Sequence, residues 1–111
     1  MFDTSLWRQI MEERAARRER ERNIVLSRVV DALRQYFAGK RVKAVYLTGS
    51  LLREGRFHPF SDIDVAVEGL EEDYLRTLTE LEGVVQRQVD LIELEKCSFR
   101  QQILERGLRI L

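Results

Sequence analysis

Asp62 and Asp64 stand two residues apart at the start of the apolar run Ile63, Val65, Ala66, Val67, and a third aspartate, Asp90, interrupts the apolar stretch Val89 to Ile92. Side chains alternate faces along a strand, so Asp62 and Asp64 share one face, about 6 to 7 Å apart, while Ile63 and Val65 share the other. The same alternation sets Asp90 with Ile92, opposite Val89 and Leu91. One face is then core and the other carries chemistry. Two like charges so close repel, and a divalent cation is the commonest way for a protein to keep both ionised. Upstream, the pair Gly49-Ser50 follows the strand-like Ala44-Val45-Tyr46-Leu47-Thr48.

These residues need elements to hold them. Ser5 to Phe37 reads as helix, in one piece or two. In its second part Leu26, Val29, Val30, Leu33 and Phe37 recur at the three-and-four spacing of one buried stripe. In its first part Leu6, Trp7, Ile10 and Met11 form a short apolar patch, followed by the wholly polar run Arg17 to Arg22. That run reads either as a solvated helix held by pairs such as Glu13 with Arg17, or as an arm that docks a partner and buries Trp7 against it.

Gly39 is placed to end the helix with a left-handed cap. Val42 to Thr48 follows as the first strand. Gly49-Ser50 then turns the chain into a short helix around Leu51, Leu52 and Arg53, Gly55 to Pro59 loop, and Ser61 to Val67 is the second strand. A helix over Glu71 to Glu82 faces Tyr74, Leu75, Leu78 and Leu81 inward, with Gly83 as its stop. Val84 to Leu94 reads as a third strand, and Ser98 to Arg106 as a closing helix with Ser98 as its cap. The order predicts an α+β (mixed α/β) domain: a small mixed β-sheet of three to four strands with helices packed on one face. The other face, bearing the aspartates, is left partly open.

A chain of 111 residues with 44% hydrophobic and 34% charged content is expected to fold as one soluble domain. Its longest stretch free of charge, Ala44 to Leu52, has nine residues, where a membrane span needs roughly 20. Asp3 and Glu12 flank a short amphipathic opening in place of a basic-then-apolar leader, so the cytoplasm is the expected location. The single Cys97 agrees, since one thiol makes no internal disulfide. No base neighbours Cys97, and His58 has no second His or Cys at metal spacing, which leaves both as structural residues.

The charges are unevenly spread. Residues 1 to 43 hold eleven basic and six acidic residues, whereas residues 44 to 111 hold eight and thirteen. The acidic half contains all three candidate aspartates. It does not attract a polyanion by itself, so a nucleotide would need metal ions and a few placed donors. The basic half interleaves arginine with glutamate, and with a net charge of zero this argues against direct nucleic-acid binding as the main activity.

Gly49-Ser50, a spacer, Ser61-Asp62-Ile63-Asp64-Val65-Ala66-Val67 and a later strand Asp90 together resemble the nucleotidyltransferase superfamily that includes DNA polymerase β. Within it they resemble the minimal nucleotidyltransferases, the MNT proteins of prokaryotes. The resemblance covers residues 23–111, including the ending Phe99-Arg100-Gln101-Gln102-Ile103-Leu104-Glu105-Arg106-Gly107, and leaves residues 1–22 as a charged helical extension. The spacer Leu51 to Ser61 holds eleven residues, one more than is common in the family, and Glu54 separates Arg53 from Gly55 where the family has Arg-Gly adjacent.

The resemblance implies a nucleotidyltransferase fold, ATP as substrate and two Mg²⁺ ions held by Asp62, Asp64 and Asp90 through oxygen ligands. It implies further that Asp90 takes the proton of an attacking hydroxyl, and that Arg53 offsets phosphate charge. Gly49 would let the backbone approach the triphosphate, with the Ser50 hydroxyl and N–H beside it. MNT proteins are commonly paired with HEPN-type toxins, small helical RNases, and move AMP from ATP onto a toxin tyrosine as antitoxins of type VII-like systems. Two alternatives stand beside that implication. One is a non-catalytic antitoxin that neutralises its partner by direct binding. The other, less favoured, is an antibiotic nucleotidyltransferase, whose usual extra helical domain is lacking. The extension around Trp7 is a candidate for homo- or hetero-oligomer contacts.

Overall fold

β-Branched and aromatic residues are concentrated in three segments that pair as a sheet in the computed structural model, which describes residues 4–111. Asp3 lies outside the described residues. The strands are β1 (Ala44–Thr48), β2 (Ile63–Glu68) and β3 (Val89–Glu93), and the two-residue β4 (Leu108–Arg109) completes the order β3-β2-β1-β4. β1 pairs antiparallel with β2 and with β4, while β2 and β3 run parallel, which demands a crossover. Helix α2 (Tyr74–Val85) supplies it.

Helix α1 (Thr4–Phe37) is one continuous element of 34 residues, about 51 Å long at the standard rise. It settles the choice between one piece and two. Its stripe Val29, Leu33, Phe37 is buried, with Leu26 and Val30 partly buried beside it. With α2 it covers Val45, Leu47, Ile63, Val65, Val67, Val89 and Leu91 on one face of the sheet. On the second face a smaller core forms from Ala44, Tyr46, Ala66 and Ile103, the last from the short helix α3 (Arg100–Arg106). So the long helices lie on one face, and α3 roofs only part of the other. The molecule is elongated, 65 × 27 × 19 Å, because the amino-terminal half of α1 projects beyond the sheet with Leu6 and Trp7 about 60% exposed.

α1 and α3 end at Phe37 and Arg106 as expected, but several caps and boundaries differ, each for a local reason. Gly39 is not left-handed; the chain leaves α1 through a turn in which the Lys40 N–H donates to the Phe37 carbonyl. Gly83 does not stop α2, which runs on through Val84 and Val85 and ends at Gln86, in the left-handed region at φ 56° with its N–H on the Glu82 carbonyl. β3 is correspondingly short. On α2 the buried positions are Thr77 and Leu81, and Leu75, about 200° around the helix from Thr77, is exposed. Tyr74, at the edge of the buried face, is also partly exposed and donates its hydroxyl to the Leu91 carbonyl. Ser98 does not cap α3; Phe99 occupies that position without a side-chain bond. The ion pair in the polar run is Glu19 with Arg22 rather than Glu13 with Arg17. Among the described residues, no helix is long and apolar enough to cross a membrane.

Asp73 caps α2, accepting a hydrogen bond from the Arg76 N–H at 2.8 Å. Asp73→Ala is expected to lower the unfolding free energy by about 1 kcal/mol, read as a lower midpoint at unchanged slope in urea unfolding.

Candidate active site

Strand register brings the chemistry together. Thr48 on β1 pairs with Asp64 on β2, and Asp64 pairs with Asp90 on β3, so three polar residues form a row across the sheet. Their strand neighbours Leu47, Ile63, Val65, Val89 and Leu91 all point into the core under the long helices, which turns the row to the opposite face. That face is open here because α3 roofs it from one side only.

A cleft of about 270 Å³ lies over the row. Thr48, Gly49, Arg53, Asp64 and Asp90 line its sheet side. Phe99, Gln102 and Arg106 line the side formed by α3 and its start. Asp62 precedes the first residue of β2, is exposed, and lines a separate concavity with Ser61 and Gln88. Ser50, half-buried, opens the expected short helix, which is a single 3-10 turn, Ser50–Leu52. A single turn has little macrodipole, so an anion there would be held by N–H groups directly.

Asp64 is the electrostatic centre. Burial, then the charge of Asp90, then that of Asp62, push its pKa up from 3.8 to about 6. Both neighbouring aspartates therefore act on it from within Coulomb range. No salt bridge reaches any of the three among the described residues. The cations nearest in sequence to Asp90 are engaged elsewhere: Arg87 donates to the Pro59 carbonyl and lies over the Phe57 ring, and Lys96 pairs with Glu93 at 2.9 Å. A structural ion pair does not account for Asp90.

Gly49 fits against Asp64 as no other residue would. Its φ of 87° and ψ of −159° lie in a region essentially reserved for glycine, and a Cβ there would overlap Oδ2 of Asp64. The backbone of the turn and the central carboxylate are thus in direct contact. After α3, the absence of a side chain at Gly107 lets the chain pass the Ile103 and Leu47 carbonyls on its way into β4.

Among the described residues, no three His, Cys, Asp or Glu side chains are clustered tightly enough to hold a metal ion by themselves. The donor set still suits one kind of cation. It offers carboxylate oxygens only, at an open face, and Mg²⁺ retains several waters and takes its remaining ligands from one or two carboxylates and substrate phosphates. Like charges that raise the pKa of Asp64 are what such a cation would relieve. The residues fit Mg²⁺ bound together with a nucleotide.

The sequence reading named Gly49, Arg53, Asp64 and Asp90, which share one cleft, Asp62, which lines a separate concavity, and Ser50, which follows Gly49 in the turn. It missed Thr48, Phe99, Gln102 and Arg106. The signal for Thr48 was present, as a polar end to an apolar strand directly before Gly49. The α3 residues lie in the closing segment that resembles the family, but nothing in the sequence placed them at the cleft, because only the packing of that helix onto Ala66 and Tyr46 brings them to the aspartates.

No curated protein sequence is significantly similar to the chain. Among solved structures, a chain from the crystal structure of a mutant MntA–HpeT toxin–antitoxin superposes with a TM-score of 0.53 and 27% identity, over 75% of this chain and 68% of that one. A chain from a crystal structure of a toxin–antitoxin with AMP-PNP superposes with a TM-score of 0.62 and 24% identity, over 74% and 72%. Another MntA–HpeT mutant gives a TM-score of 0.62 at 22% identity with the same coverage. The family model described as "Polymerase beta, Nucleotidyltransferase" matches residues 31–111, which carry the Gly49-Ser50 turn, all three aspartates and every strand. With that match spanning most of its length, the chain belongs to the polymerase β nucleotidyltransferase family.

Proposed function

We propose that this nucleotidyltransferase moves AMP from ATP onto a hydroxyl, a tyrosine of a HEPN-type toxin, and so serves as the antitoxin of a type VII-like pair. The observation that carries the reading is the row Thr48, Asp64, Asp90 beside Gly49 in an open cleft, with Asp64 held at a raised pKa by its carboxylate neighbours. The similar solved structures are toxin–antitoxin complexes, one with AMP-PNP, which supports a protein partner and an adenine nucleotide.

In the proposed reaction the acceptor oxygen attacks the α-phosphorus of ATP. A new O–P bond forms, the bond to the bridging oxygen breaks, and pyrophosphate leaves. Asp90, exposed at the cleft, accepts the hydroxyl proton. Gly49 and Ser50 hold the triphosphate, and Arg53 at the rim offsets its charge. Two Mg²⁺ ions, held by Asp62, Asp64 and Asp90, would neutralise the phosphates and the leaving group when bound. The protein's own part is alignment and a fixed electrostatic field. The projecting half of α1, with Leu6 and Trp7 exposed, is the proposed docking element that brings the acceptor to the cleft.

Incubation with ATP, Mg²⁺ and the candidate HEPN protein is expected to add one or more AMP units to that protein, read by intact mass. Asp62→Ala and Asp64→Ala should abolish the gain. Tight association without any mass change would instead assign the chain to neutralisation by contact.

A further inference from the structure

Arg22 closes the most polar run in the sequence, yet only 12% of its side chain is exposed. Its guanidinium is divided between two partners. Nε and Nη2 grip the Glu19 carboxylate, and Nη1 donates to the Leu51 carbonyl oxygen at 2.8 Å, across 29 residues of chain. Leu51 is the middle residue of the 3-10 turn that begins at Ser50, and its own side chain is buried. Within that turn the Gly49 carbonyl takes the Leu52 N–H and the Ser50 carbonyl takes the Arg53 N–H. The Leu51 carbonyl takes Arg22.

We infer that Arg22 is a positioning residue for the nucleotide: it braces the back of the Gly49–Leu52 turn against α1, and so fixes the front of the turn, where Gly49 lies against Asp64. This rests on the reading above that the turn holds the triphosphate. Arginine suits the task because its planar fork makes several directed bonds at once, and Glu19, one helical turn earlier, holds that fork in a single orientation. The brace is stiff at its root, since Val29 and Leu33 of the same unbroken helix are buried in the core. Without Arg22 the Leu51 carbonyl loses a charged donor beside a buried side chain, and the turn gains freedom to relax toward water. Gly49, in a backbone region of narrow tolerance, has least to hold it when the turn slackens.

The test is calorimetric titration of a non-hydrolysable ATP analogue with Mg²⁺ into the full chain, with circular dichroism to establish folding. Arg22→Met keeps the aliphatic stem and removes the donors; it is expected to weaken binding about tenfold. In the transfer reaction its effect should appear in KM for ATP, with kcat at saturation changed by less than about twofold. Arg22→Lys should recover part of the affinity, because an ammonium reaches the Leu51 carbonyl without the fork to Glu19. Arg20→Met removes an equal charge from an exposed position in the same run and should bind as wild type does. A folded Arg22→Met with wild-type affinity overturns the inference, as does an equal loss in Arg20→Met. If Arg22→Met fails to fold, Arg22→Lys and Glu19→Gln decide: losses of about threefold in each support the brace, and unchanged affinity in both overturns it. A wild-type chain that binds the analogue but modifies no acceptor sinks the transferase reading while leaving Arg22 tested. One that binds no nucleotide sinks both.

Discussion

If the proposed adenylyl transfer is this chain's activity, Asp64→Asn is expected to lower its kcat by about 10³-fold, while making the metal-free protein more stable at neutral pH. The two effects share one cause. Asp64 has a pKa of about 6 in the folded chain against 3.8 for the free side chain, raised by burial and by the charges of Asp90 and Asp62. Between those values the folded state binds more protons than the unfolded one, so the unfolding free energy falls as pH rises from about 4 to about 6 and stays lower above that. The charge that the proposed cation would require is therefore a cost to the empty fold. Asparagine keeps the shape and removes the charge. Allowing for solvent screening of a half-buried group, the gain at pH 7 to 8 is about 1 to 2 kcal/mol. Thermal melts in EDTA should show the variant above wild type at pH 8 and the two converging near pH 4, where both side chains are neutral. A variant no more stable than wild type at pH 8, or a gap that persists at pH 4, would show that Asp64 is not strained by its neighbours. Adding Mg²⁺ and nucleotide should reverse the order, because only wild type gains from binding.

What the sequence disclosed and what it withheld divide along a physical line. Alternation has a period of two and needs no tertiary information, so the opposition of Asp64 and Asp90 to the core residues Val65 and Leu91 was legible, as was the stripe Val29, Leu33, Phe37 on α1. Register between strands is another matter. That Thr48, Asp64 and Asp90 stand in one row follows from pairings set by the whole sheet, including the parallel step through α2. The ends of α1 and α3 at Phe37 and Arg106 were legible, but the caps and the end of α2 were not. Gly39 and Gly83 carried the usual stop signal, but the chain leaves α1 through an ordinary turn, and α2 ends on a left-handed Gln86. Arg22 was hidden in the same way: its polar neighbours marked it as solvated, and only the approach of the Leu51 carbonyl makes it structural. The family motif located the cleft because it samples β1, β2 and β3 together, while the closing helix, although part of the resemblance, carried no residue assigned to the cleft, whose second wall it forms.

Gly49→Ala should be the most damaging single-methyl change in the site. Two costs combine. Gly49 adopts φ 87° and ψ −159°, where a residue bearing a Cβ is strained by about 1 to 3 kcal/mol. The added methyl would also overlap the Asp64 carboxylate, forcing either the turn or the carboxylate out of place. Loss of about 3 kcal/mol in unfolding free energy is expected, with nucleotide affinity reduced tenfold or more if the displaced groups face the phosphates as proposed. Gly39→Ala is the matching control, since no atom lies within 4 Å of the Cβ it would add. It should stay within about 0.5 kcal/mol of wild type. The double variant Gly49→Ala with Asp64→Ala separates the two costs. Removing the carboxylate relieves the overlap but not the backbone strain, so the pair should be more stable than the sum of the two single effects predicts, by about 1 kcal/mol or more. Additive losses would mean that the turn and Asp64 do not touch, and nucleotide binding by a folded Gly49→Ala at wild-type strength would remove the turn from the site altogether.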